Sequence, residues 1–505
     1  MYLTQQLHRR ARVSPAEPFT IYQGHVTTNA EMEERAARIA GGLRSLGVRH
    51  DDRVALIDVN TDLFFHAAAG VAWADGIIVP VNYRWSIKEM AFSLIEAGVE
   101  TVIVGDLFLD LIEPLRAAAP GLRHVVHMGD LPTPDGMVPL SQLLAAEPAP
   151  DAERGGASLL GLFYTGGTTG EPRGVMLSHD GIMLNSIAAA SVGHYPVRGA
   201  QLLAAPAFHL AGFGAWIAAM LQDQASVALS EFTPANVLRA INDDKITMVL
   251  LVPTMIQMLA DHPDLTQYDR SSLELILYGA SPISEAVLAR ARKAFPSARF
   301  VQAYGQTELS PSVTILRDAD HDHPVHRRSG GRPISYAEVK IVDGEDHELP
   351  RGEVGEIVAR GDLVMLGYWN KPEETAYALR NGWMHTGDGG YMDEDGYVYI
   401  VDRIKDMIIT GGENVYSIEV ENAIARHPAV MQCVVVGRPD ETWGERVHAV
   451  VELAPGATLT LEELREFTKQ EIAGYKCPRS LELVNAWPMS AAGKILKREI
   501  RAQHI

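Results

Sequence analysis

The chain has 505 residues, enough for roughly three structural units, and its 47% hydrophobic and 21% charged residues form an ordinary globular mixture. The net charge of −20 argues against a nucleic-acid-binding surface or a basic membrane-binding patch. It leaves room for local basic pockets that hold phosphate.

Cysteine usage and the absence of a targeting pattern suggest a reducing compartment. Cys433 and Cys477 are too few for a disulfide framework, and neither has Cys or His at metal-ligand spacing, so we expect buried or neutral thiols. Residues 1–18 lack the apolar core of a secretory signal. Residues 63–79, the longest apolar stretch, are too short and too polar for a membrane span. We therefore expect a soluble cytoplasmic protein with no membrane span.

Strands alternate with helices over residues 28–303, which is typical of parallel sheets with crossover helices. The first helix is predicted over 28–46, because Thr28 and Glu31 form a capping box at its start. Further strands are predicted at 53–59, 77–79, 101–104, 124–128, 159–163, 201–204, 247–251, 275–278 and 299–303. Further helices are predicted up to 74, at 106–118, from 180, 211 and 253, and at 284–294. Because this pattern occurs on both sides of residue 160, it predicts two packed α/β layers.

After residue 325 the sequence pattern changes. Frequent glycines separate short alternating stretches such as 338–342 and 356–360, which predicts an antiparallel β region. Beyond Asp402 a small α+β unit is predicted, with strands at 407–410, 431–436 and 447–453 and helices at 417–427 and 460–472.

The predicted fold is therefore α/β, with a large N-terminal domain and a small α+β C-terminal domain. The N-terminal domain, residues 1–401, would contain α/β layers over residues 1–160 and 161–325 and a small β-barrel-like region over 326–401. The C-terminal domain would comprise residues 402–505.

A Gly/Thr-rich stretch follows the predicted strand at 159–163 and leads to a helix that Ser178 or Asp180 would cap. Glycines let backbone N–H groups approach an anion closely, and threonine hydroxyls add donors, so the loop suits a polyphosphate. It is not a Walker A loop, which requires Gly-x-x-x-x-Gly-Lys-Ser/Thr. Taken alone, a surface turn is an equal alternative. Its glycines and threonines are Thr165, Gly166, Gly167, Thr168, Thr169, Gly170 and Gly174.

Eight motifs follow one another along the whole chain, at 164–175, 206–209, 278–281, 304–308, 383–388, 399–406, 411–415 and 491–494. In this order and spacing they resemble the adenylate-forming (AMP-binding) enzymes, which include acyl- and aryl-CoA synthetases, luciferases and peptide-synthetase adenylation domains. The resemblance implies that a carboxylic acid attacks the α-phosphorus of ATP to give acyl-AMP and pyrophosphate. The thiol of coenzyme A would then displace AMP. The implied cofactors are ATP, Mg²⁺ and coenzyme A, and the site must supply positive charge because the attack joins two anions.

The resemblance assigns the Gly/Thr loop to the β- and γ-phosphates of ATP. The family often has Ser at 166 and Lys at 173, whereas this chain has Gly166 and Arg173, so one hydroxyl donor is lost and the cation is kept. Glu308 matches the magnesium-binding acid, since a hard cation prefers carboxylate oxygen. Thr307 is expected to contact the α-phosphate. Without the flanking motifs, a solvated Thr-Glu pair would be the better interpretation.

Other motif residues are assigned to the nucleoside. Tyr304, followed by Gly305, is expected to pack on the adenine, and Asp388 is expected to accept the ribose hydroxyls with help from Arg403. A lone acid in such a glycine-rich turn is more often structural. The predicted edge of the adenine site comprises Gly279, Ala280 and Ser281, at the end of a strand where parallel sheets bind ligands.

In the C-terminal part, Lys494 matches the lysine that bridges the acyl carboxylate and the α-phosphate, a task that suits a compact ammonium group. By the same resemblance, the C-terminal domain rotates about Asp402 to present Gly411 and Gly412 beside the pantetheine tunnel, where missing side chains let CoA pass close to the backbone. Lys476 is predicted to meet a CoA phosphate, with a surface lysine as the equal alternative.

The acid itself is the least determined substrate. His209 matches a position that gates the carboxyl end of the acid, and we expect mostly apolar walls with small gaps. No aspartate follows the Pro-x-Phe motif to bind an amino group, which argues against an α-amino acid. The sequence does not decide between fatty and aromatic acids. The predicted walls are Leu210, Gly212, Phe213, Gly214, Tyr278, Gln302 and Val313.

Three alternatives to an acid–CoA ligase stay open. An acyl-AMP ligase would load a carrier protein instead of CoA, although residues 340–375 show no insertion that obstructs CoA. A luciferase-like oxygenase shares most motifs. A non-catalytic nucleotide-binding sensor is disfavoured by the intact Glu308, Asp388, Arg403 and Lys494. A homodimer is a hypothesis that no sequence feature tests.

Overall fold

Four β-sheets organise the part of the chain that this computed structural model describes, namely residues 1–165, 172–281, 283–403, 406–411, 413–489 and 495–502. Two large sheets belong to α/β layers, as the alternating pattern predicts. A smaller antiparallel sheet follows them along the chain, and a mixed sheet contains the C-terminal strands. In these ranges, no helix combines the length and the apolar character that crossing a bilayer requires.

The first α/β layer contains an eight-stranded sheet in which the six strands from Leu159–Thr165 to Val138–Pro139 pair in parallel, whereas the two strands at the other end pair antiparallel. In spatial order its strands are Gly367–Tyr368, Arg173–Ser178, Leu159–Thr165, Ile77–Pro80, Arg53–Ile57, Thr101–Gly105, His124–Met128 and Val138–Pro139. The helices adjoining these strands in sequence are Asn29–Ser45, Asp62–Trp73, Ile87–Ala97, Ile112–Ala118, Leu140–Leu144 and His179–Gly193. The capping box is confirmed, because Thr28 and Glu31 each accept a hydrogen bond from the other's backbone N–H.

The second layer contains a nine-stranded sheet. Its strands, in spatial order, are Arg332–Pro333, Thr314–Leu316, Arg299–Tyr304, Leu275–Gly279, Met248–Leu251, Ala200–Leu203, Ala225–Ala228, Pro18–Tyr22 and His25–Thr28. Its helices are Gln5–Val13, Leu210–Leu221, Pro234–Asp243, Pro253–Ala260 and Glu285–Ala294. The N-terminal hairpin belongs to this sheet, whereas residues 159–165 and 173–178 belong to the first. The boundary between the two layers therefore does not fall at residue 160, where the sequence predicted it.

The connection around the Gly/Thr loop also differs from the prediction. Residues 173–178 form a strand that pairs antiparallel with Leu159–Thr165, from Leu159↔Ser178 to Thr165↔Arg173. The loop therefore joins two strands of a hairpin, and the prediction of a direct strand-to-helix connection is wrong. The cause is visible in the burial, because Val175 and Leu177 alternate into the core in the period of a strand. The predicted cap is confirmed, since the Ser178 hydroxyl accepts from the backbone N–H of Gly181.

The two remaining sheets lie in the regions where the sequence predicts an antiparallel β region and a small α+β unit. The antiparallel region is an open sheet of Glu338–Val342, Gly355–Arg360, Met384–Met392 and Val398–Arg403 rather than a closed barrel, with helix Pro372–Ala378 between its second and third strands. The C-terminal sheet comprises Glu413–Val415, Ile408–Thr410, Gly444–Leu453, Val430–Asp440 and Ser480–Leu483, with helices Ser417–Ile424, Leu461–Thr468 and Lys497–Ala502. Both cysteines are free thiols, and burial raises the pKa of Cys433.

Aromatic side chains fill the core between the two α/β layers. The ring centroids of Phe65 and Trp216 are 5.3 Å apart, and those of Phe163 and Phe213 are 5.2 Å apart. Each pair joins one layer to the other, and all four side chains are essentially inaccessible to solvent. Such pairs contribute about 0.5–1.5 kcal/mol beyond their area burial, so the layers form one packed body.

Asn60 fixes the segment that leads to His209. Its side-chain amide donates to the carbonyl oxygens of Leu203 and Ala205, at 2.7 and 2.8 Å, and its Oδ1 accepts from the backbone N–H of Ala207 at 2.8 Å. The asparagine follows a strand of the first layer, whereas residues 203–207 follow a strand of the second. One buried amide thus sets the distance between the two layers beside the predicted acid site.

We expect Asn60→Ala to lower the free energy of unfolding by about 1–3 kcal/mol, because two buried carbonyls and one N–H lose their partner. Equilibrium urea denaturation measures this loss. Asn236→Ala is the control, since the Asn236 side-chain amide makes two long, exposed contacts, of 3.4 Å to the carbonyl oxygen of Glu231 and 3.5 Å to Arg239. Equal stability of the two variants would contradict the bridging role of Asn60.

Candidate functional site

The candidate site lies where two parallel strands of the second sheet end. Leu275–Gly279 and Arg299–Tyr304 pair in register, with Tyr278 opposite Gln302 and Gly279 opposite Ala303. The segments 280–281 and 305–308 therefore leave the sheet side by side. Ligands bind in this position in open α/β sheets, so the fold brings the predicted adenine edge and the predicted metal-binding acid together.

Close backbone approach explains the small residues in these two segments. A Cβ atom at Gly279 would collide with the carbonyl oxygen of Ala303, and one at Gly305 would collide with that of Pro311. Ala280 has φ of 68°, in the left-handed region that costs an L-residue roughly 1–2 kcal/mol. Backbone strain of this kind concentrates at ligand sites, which fits the predicted role of residues 279–281.

Tyr304 and Arg403 both contact the carboxylate of Asp388. The Tyr304 hydroxyl donates to Asp388 Oδ2 at 2.8 Å, and Arg403 Nε lies 3.1 Å from Asp388 Oδ1. Asp388 and Arg403 are opposite one another on neighbouring strands of the four-stranded sheet. Burial, together with the Asp388 charge, raises the pKa of Tyr304 well above its ordinary value, so the phenol stays a hydrogen-bond donor. Asp388 is thereby held as an acceptor for further hydroxyl groups.

Glu308 lies beside this cluster in a buried 3₁₀ turn, Thr307–Leu309. Its Oε1 accepts from the Tyr368 hydroxyl at 2.9 Å, and its backbone carbonyl accepts from the N–H of Met365. Burial raises the pKa of Glu308 above its ordinary value, although Tyr368 and two arginines favour the charged form. A buried carboxylate of this kind fits a magnesium ligand, since Mg²⁺ prefers oxygen.

The composition of the site indicates how such an ion would complete its coordination. Throughout the described part of the chain, no group of three or more His, Cys, Asp or Glu side chains could hold a metal ion by itself. Mg²⁺ commonly binds through one or two carboxylates and takes its remaining ligands from water and substrate phosphates. A single buried carboxylate, that of Glu308, fits this mode of Mg²⁺ binding if a nucleotide supplies the phosphates.

The base of the Gly/Thr loop is fixed by residues on both of its strands. Thr165 ends one strand, and Arg173 opens the other directly opposite. Arg173 Nε lies 2.6 Å from Glu374 Oε2, and its guanidinium carbon lies 5.4 Å from the ring centroid of Tyr368. The loop residues Gly166, Gly167, Thr168, Thr169 and Gly170 lie outside the described residues.

Only some of the predicted C-terminal residues can be placed. Gly411, with φ of 62°, donates its N–H to the carbonyl oxygen of Trp443, and a Cβ atom there would meet the indole ring. Lys476 Nζ lies 2.7 and 2.8 Å from the two carboxylate oxygens of Glu419, so it forms an intramolecular ion pair in this structure. Gly412 and Lys494 lie outside the described residues.

The predicted acid site is rich in aromatic rings. His209 precedes helix Leu210–Leu221, and its ring centroid lies 4.4 Å from that of Phe208. The buried Tyr278 hydroxyl lies 2.7 Å from His321 Nε2 and 3.2 Å from Gln302 Oε1. Sequence reasoning missed His321, Tyr368 and Glu374. Each belongs to a segment without periodicity or a recognised motif, so only the fold reveals its proximity to the site.

Comparison with known proteins agrees with this geometry. The family model of the AMP-binding enzyme matches residues 7–369, and that of the AMP-binding enzyme C-terminal domain matches residues 419–494. The fold and the matched regions define an adenylate-forming enzyme. The chain belongs to the AMP-binding enzyme family and to its acyl-CoA synthetase branch, the acid–thiol ligases.

Individual relatives span nearly the whole chain. A feruloyl-CoA synthase from an Amycolatopsis species is 37% identical over 98% of this chain and 97% of its own length. A fatty acid–[acyl-carrier-protein] ligase, ScoC of Streptomyces coeruleorubidus, is 35% identical over 99% of this chain and 96% of its own. The ATP-bound crystal structure of MatB from Rhodopseudomonas palustris superposes with a TM-score of 0.90 at 28% identity, covering 100% of this chain and 99% of that one. Family and structural likeness together support ATP binding.

If Asp388 accepts the ribose hydroxyls, Asp388→Ala should weaken ATP binding by roughly 10-fold or more, since a hydrogen bond to a charged group contributes about 1.5–3 kcal/mol. Isothermal titration with ATP measures the dissociation constant. Asp393→Ala is a matched control, because Asp393 accepts a tyrosine hydroxyl, that of Tyr399, at 3.0 Å outside the site. Unchanged ATP affinity in Asp388→Ala would rule out the ribose assignment.

Proposed function

We propose that this chain is an AMP-forming acid–CoA ligase. It joins a carboxylic acid with an aromatic or fatty acyl group to coenzyme A, and ATP is converted to AMP and diphosphate through an acyl-adenylate. The observation that carries the proposal is the convergence of two buried carboxylates, Glu308 and Asp388, at the sheet edge beside Arg403 and Arg173. Acidic and cationic groups thus meet where a nucleotide would enter.

In the proposed first step, separate groups of residues bind the ribose, the phosphates and the metal ion of MgATP. Asp388 accepts the ribose hydroxyls, with Arg403 beside it. The Gly/Thr loop and Arg173 bind the β- and γ-phosphates, and Thr307 contacts the α-phosphate. Glu308 would hold Mg²⁺, which supplies positive charge to the phosphates. Positioning and charge neutralisation are the main needs of such a displacement.

Lys494 is assigned the last positive charge in that step, between the acyl carboxylate and the α-phosphate. The described residues on either side of it belong to the C-terminal unit. Met489 and Ile495, on either side of residues 490–494, pair as an antiparallel bridge. Lys497 Nζ then lies 2.8 Å from Glu421 Oε1 and 2.5 Å from Ser417 Oγ, which anchors the C-terminal helix to helix Ser417–Ile424.

The proposed hinge is Asp402, which would divide the chain into residues 1–401 and 402–505. Asp402 lies on the last strand of the four-stranded sheet, opposite Gly389. Its Oδ2 nevertheless accepts from the backbone N–H of Ser417 at 2.6 Å, at the start of a helix of the C-terminal unit. The residue therefore belongs to one unit through its backbone and to the other through its side chain. Rotation about it would present Gly411 and Gly412 to coenzyme A.

The acid class rests on the lining and on the relatives. Phe208, Tyr278 and His209 place three aromatic rings at the predicted acid site, and the sequence places no carboxylate after the Pro-x-Phe motif for an amino group. Relatives at 37% and 35% identity are named for feruloyl and fatty acyl groups. Both classes have an apolar body and a carboxylate, which agrees with the mostly apolar walls that the sequence predicts.

The decisive experiment incubates the purified protein with MgATP, coenzyme A and a panel of aromatic and fatty acids, with AMP and thioester measured by chromatography. We expect equimolar AMP and acyl-CoA with at least one acid. A carrier-protein ligase is the second candidate, favoured by the similarity to a fatty acid–[acyl-carrier-protein] ligase. Diphosphate release without CoA thioester would support that candidate. No nucleotide turnover with any acid would indicate a sensor.

We expect Lys494→Ala to lower the rate of acyl-adenylate formation by at least 100-fold, because one transition-state donor of this kind contributes about 2.7–4 kcal/mol. Thioester formation from supplied acyl-AMP should change little, since the ammonium group is assigned to the first step alone. Single-turnover kinetics of each half-reaction measures both. The control is Lys469→Ala, a half-exposed lysine on the C-terminal unit. Equal losses in both half-reactions would contradict the rotation about Asp402.

A further inference from the structure

Tyr368 contacts both charged groups that the proposed function assigns to the ATP phosphates and their metal ion. Its hydroxyl donates to Glu308 Oε1 at 2.9 Å, and the guanidinium carbon of Arg173 lies 5.4 Å from its ring centroid. The tyrosine is 7% exposed, so these contacts are made inside the protein. One side chain thus joins the predicted metal-binding acid to the cation at the base of the Gly/Thr loop.

The backbone around Tyr368 makes this position rigid. Tyr368 pairs with Val175 in the first sheet, two residues after Arg173. Its N–H donates to Thr375 Oγ1 at 2.9 Å. Met365, three residues earlier, donates to the backbone carbonyl of Glu308. The segment 365–368 is therefore fixed at once to the loop hairpin and to the turn that carries Glu308.

We propose that Tyr368 is a positioning residue for MgATP binding. Its hydroxyl sets the direction of the Glu308 carboxylate, and its ring supports the guanidinium group of Arg173. This inference rests on the proposed function, since it takes Glu308 as the magnesium ligand and Arg173 as a phosphate ligand. Tyr368 itself contacts neither ATP nor metal in this scheme.

The two contacts have separable consequences. A hydroxyl that holds one oxygen of a ligating carboxylate fixes the orientation of the other oxygen, and losing such a partner typically costs about 10–100-fold in metal affinity. A cation over an aromatic ring contributes about 0.5–2 kcal/mol, which corresponds to roughly 2–30-fold in affinity. Phenylalanine keeps the ring and loses the hydroxyl, whereas leucine loses both.

The test measures ATP binding by isothermal titration at a series of Mg²⁺ concentrations, with Tyr368→Phe and Tyr368→Leu in the full-length chain. We expect Tyr368→Phe to raise the half-saturating Mg²⁺ concentration at least 10-fold, while ATP affinity at saturating Mg²⁺ returns close to the wild-type value. In Tyr368→Leu, saturating Mg²⁺ should leave ATP affinity reduced by about 2–30-fold, because Arg173 has lost its support.

Tyr397→Phe is the matched control. The Tyr397 hydroxyl donates to Asp320 Oδ1 at the same distance, 2.9 Å, but Asp320 has no assigned role at the site. This variant should bind MgATP as the wild type does. Thermal melting of every variant shows whether it is folded, and Tyr368→Phe by itself suffices if the leucine variant is not.

Two results would overturn the inference. In the first, Tyr368→Phe shows the Mg²⁺ dependence of the wild type. In the second, it loses affinity by a factor that Mg²⁺ does not restore, which indicates a merely structural role. Either result leaves the proposed function intact as long as the wild type binds MgATP and forms acyl-adenylate. Failure of the wild type to bind MgATP would remove the proposed function, and this inference with it.

Discussion

Hydrogen bonds from tyrosine hydroxyls to buried carboxylates are the interaction on which the site depends. Tyr304 donates to Asp388 at 2.8 Å, and Tyr368 donates to Glu308 at 2.9 Å. Removing a carboxylate from water disfavours its charged form, as the raised pKa of Glu308 shows. A neutral hydroxyl donor offsets part of this desolvation cost. It leaves the negative charge of the carboxylate unneutralised, so the acid can still bind a cation or accept hydrogen bonds from a nucleotide. The two acids are thus held in place and kept attractive to their expected ligands.

The packing of the two α/β layers sets the second of these contacts. Tyr368 lies on the outermost strand of the eight-stranded sheet, whereas Glu308 follows a strand of the nine-stranded sheet. Tyr368 could not reach Glu308 if the layers slid past one another, and the aromatic pairs between Phe65 and Trp216 and between Phe163 and Phe213 oppose such sliding. Side-chain packing between the layers therefore sets a distance within the site.

The replacement of the family's lysine by Arg173 acquires a structural explanation. A guanidinium group is planar and can stack on a ring while it pairs with a carboxylate, whereas an ammonium group is a compact point charge. Arg173 makes both contacts, with Tyr368 and with Glu374. The substitution is thus matched to neighbours that the sequence motif does not contain.

The sequence alone determined the alternation of helices and strands, the capping box at Thr28 and the order of the motifs, because these depend on neighbouring residues and local periodicity. It also predicted Tyr304, Asp388 and Arg403 as site residues, and the fold brings Tyr304 and Arg403 into contact with Asp388. Only the tertiary structure decided that residues 173–178 form a hairpin strand and that the N-terminal hairpin joins the second sheet, since strand pairing is a contact between distant segments. The link between Tyr368 and Glu308 is of the same kind. Sixty residues separate them, and no local pattern encodes a hydrogen bond over that distance.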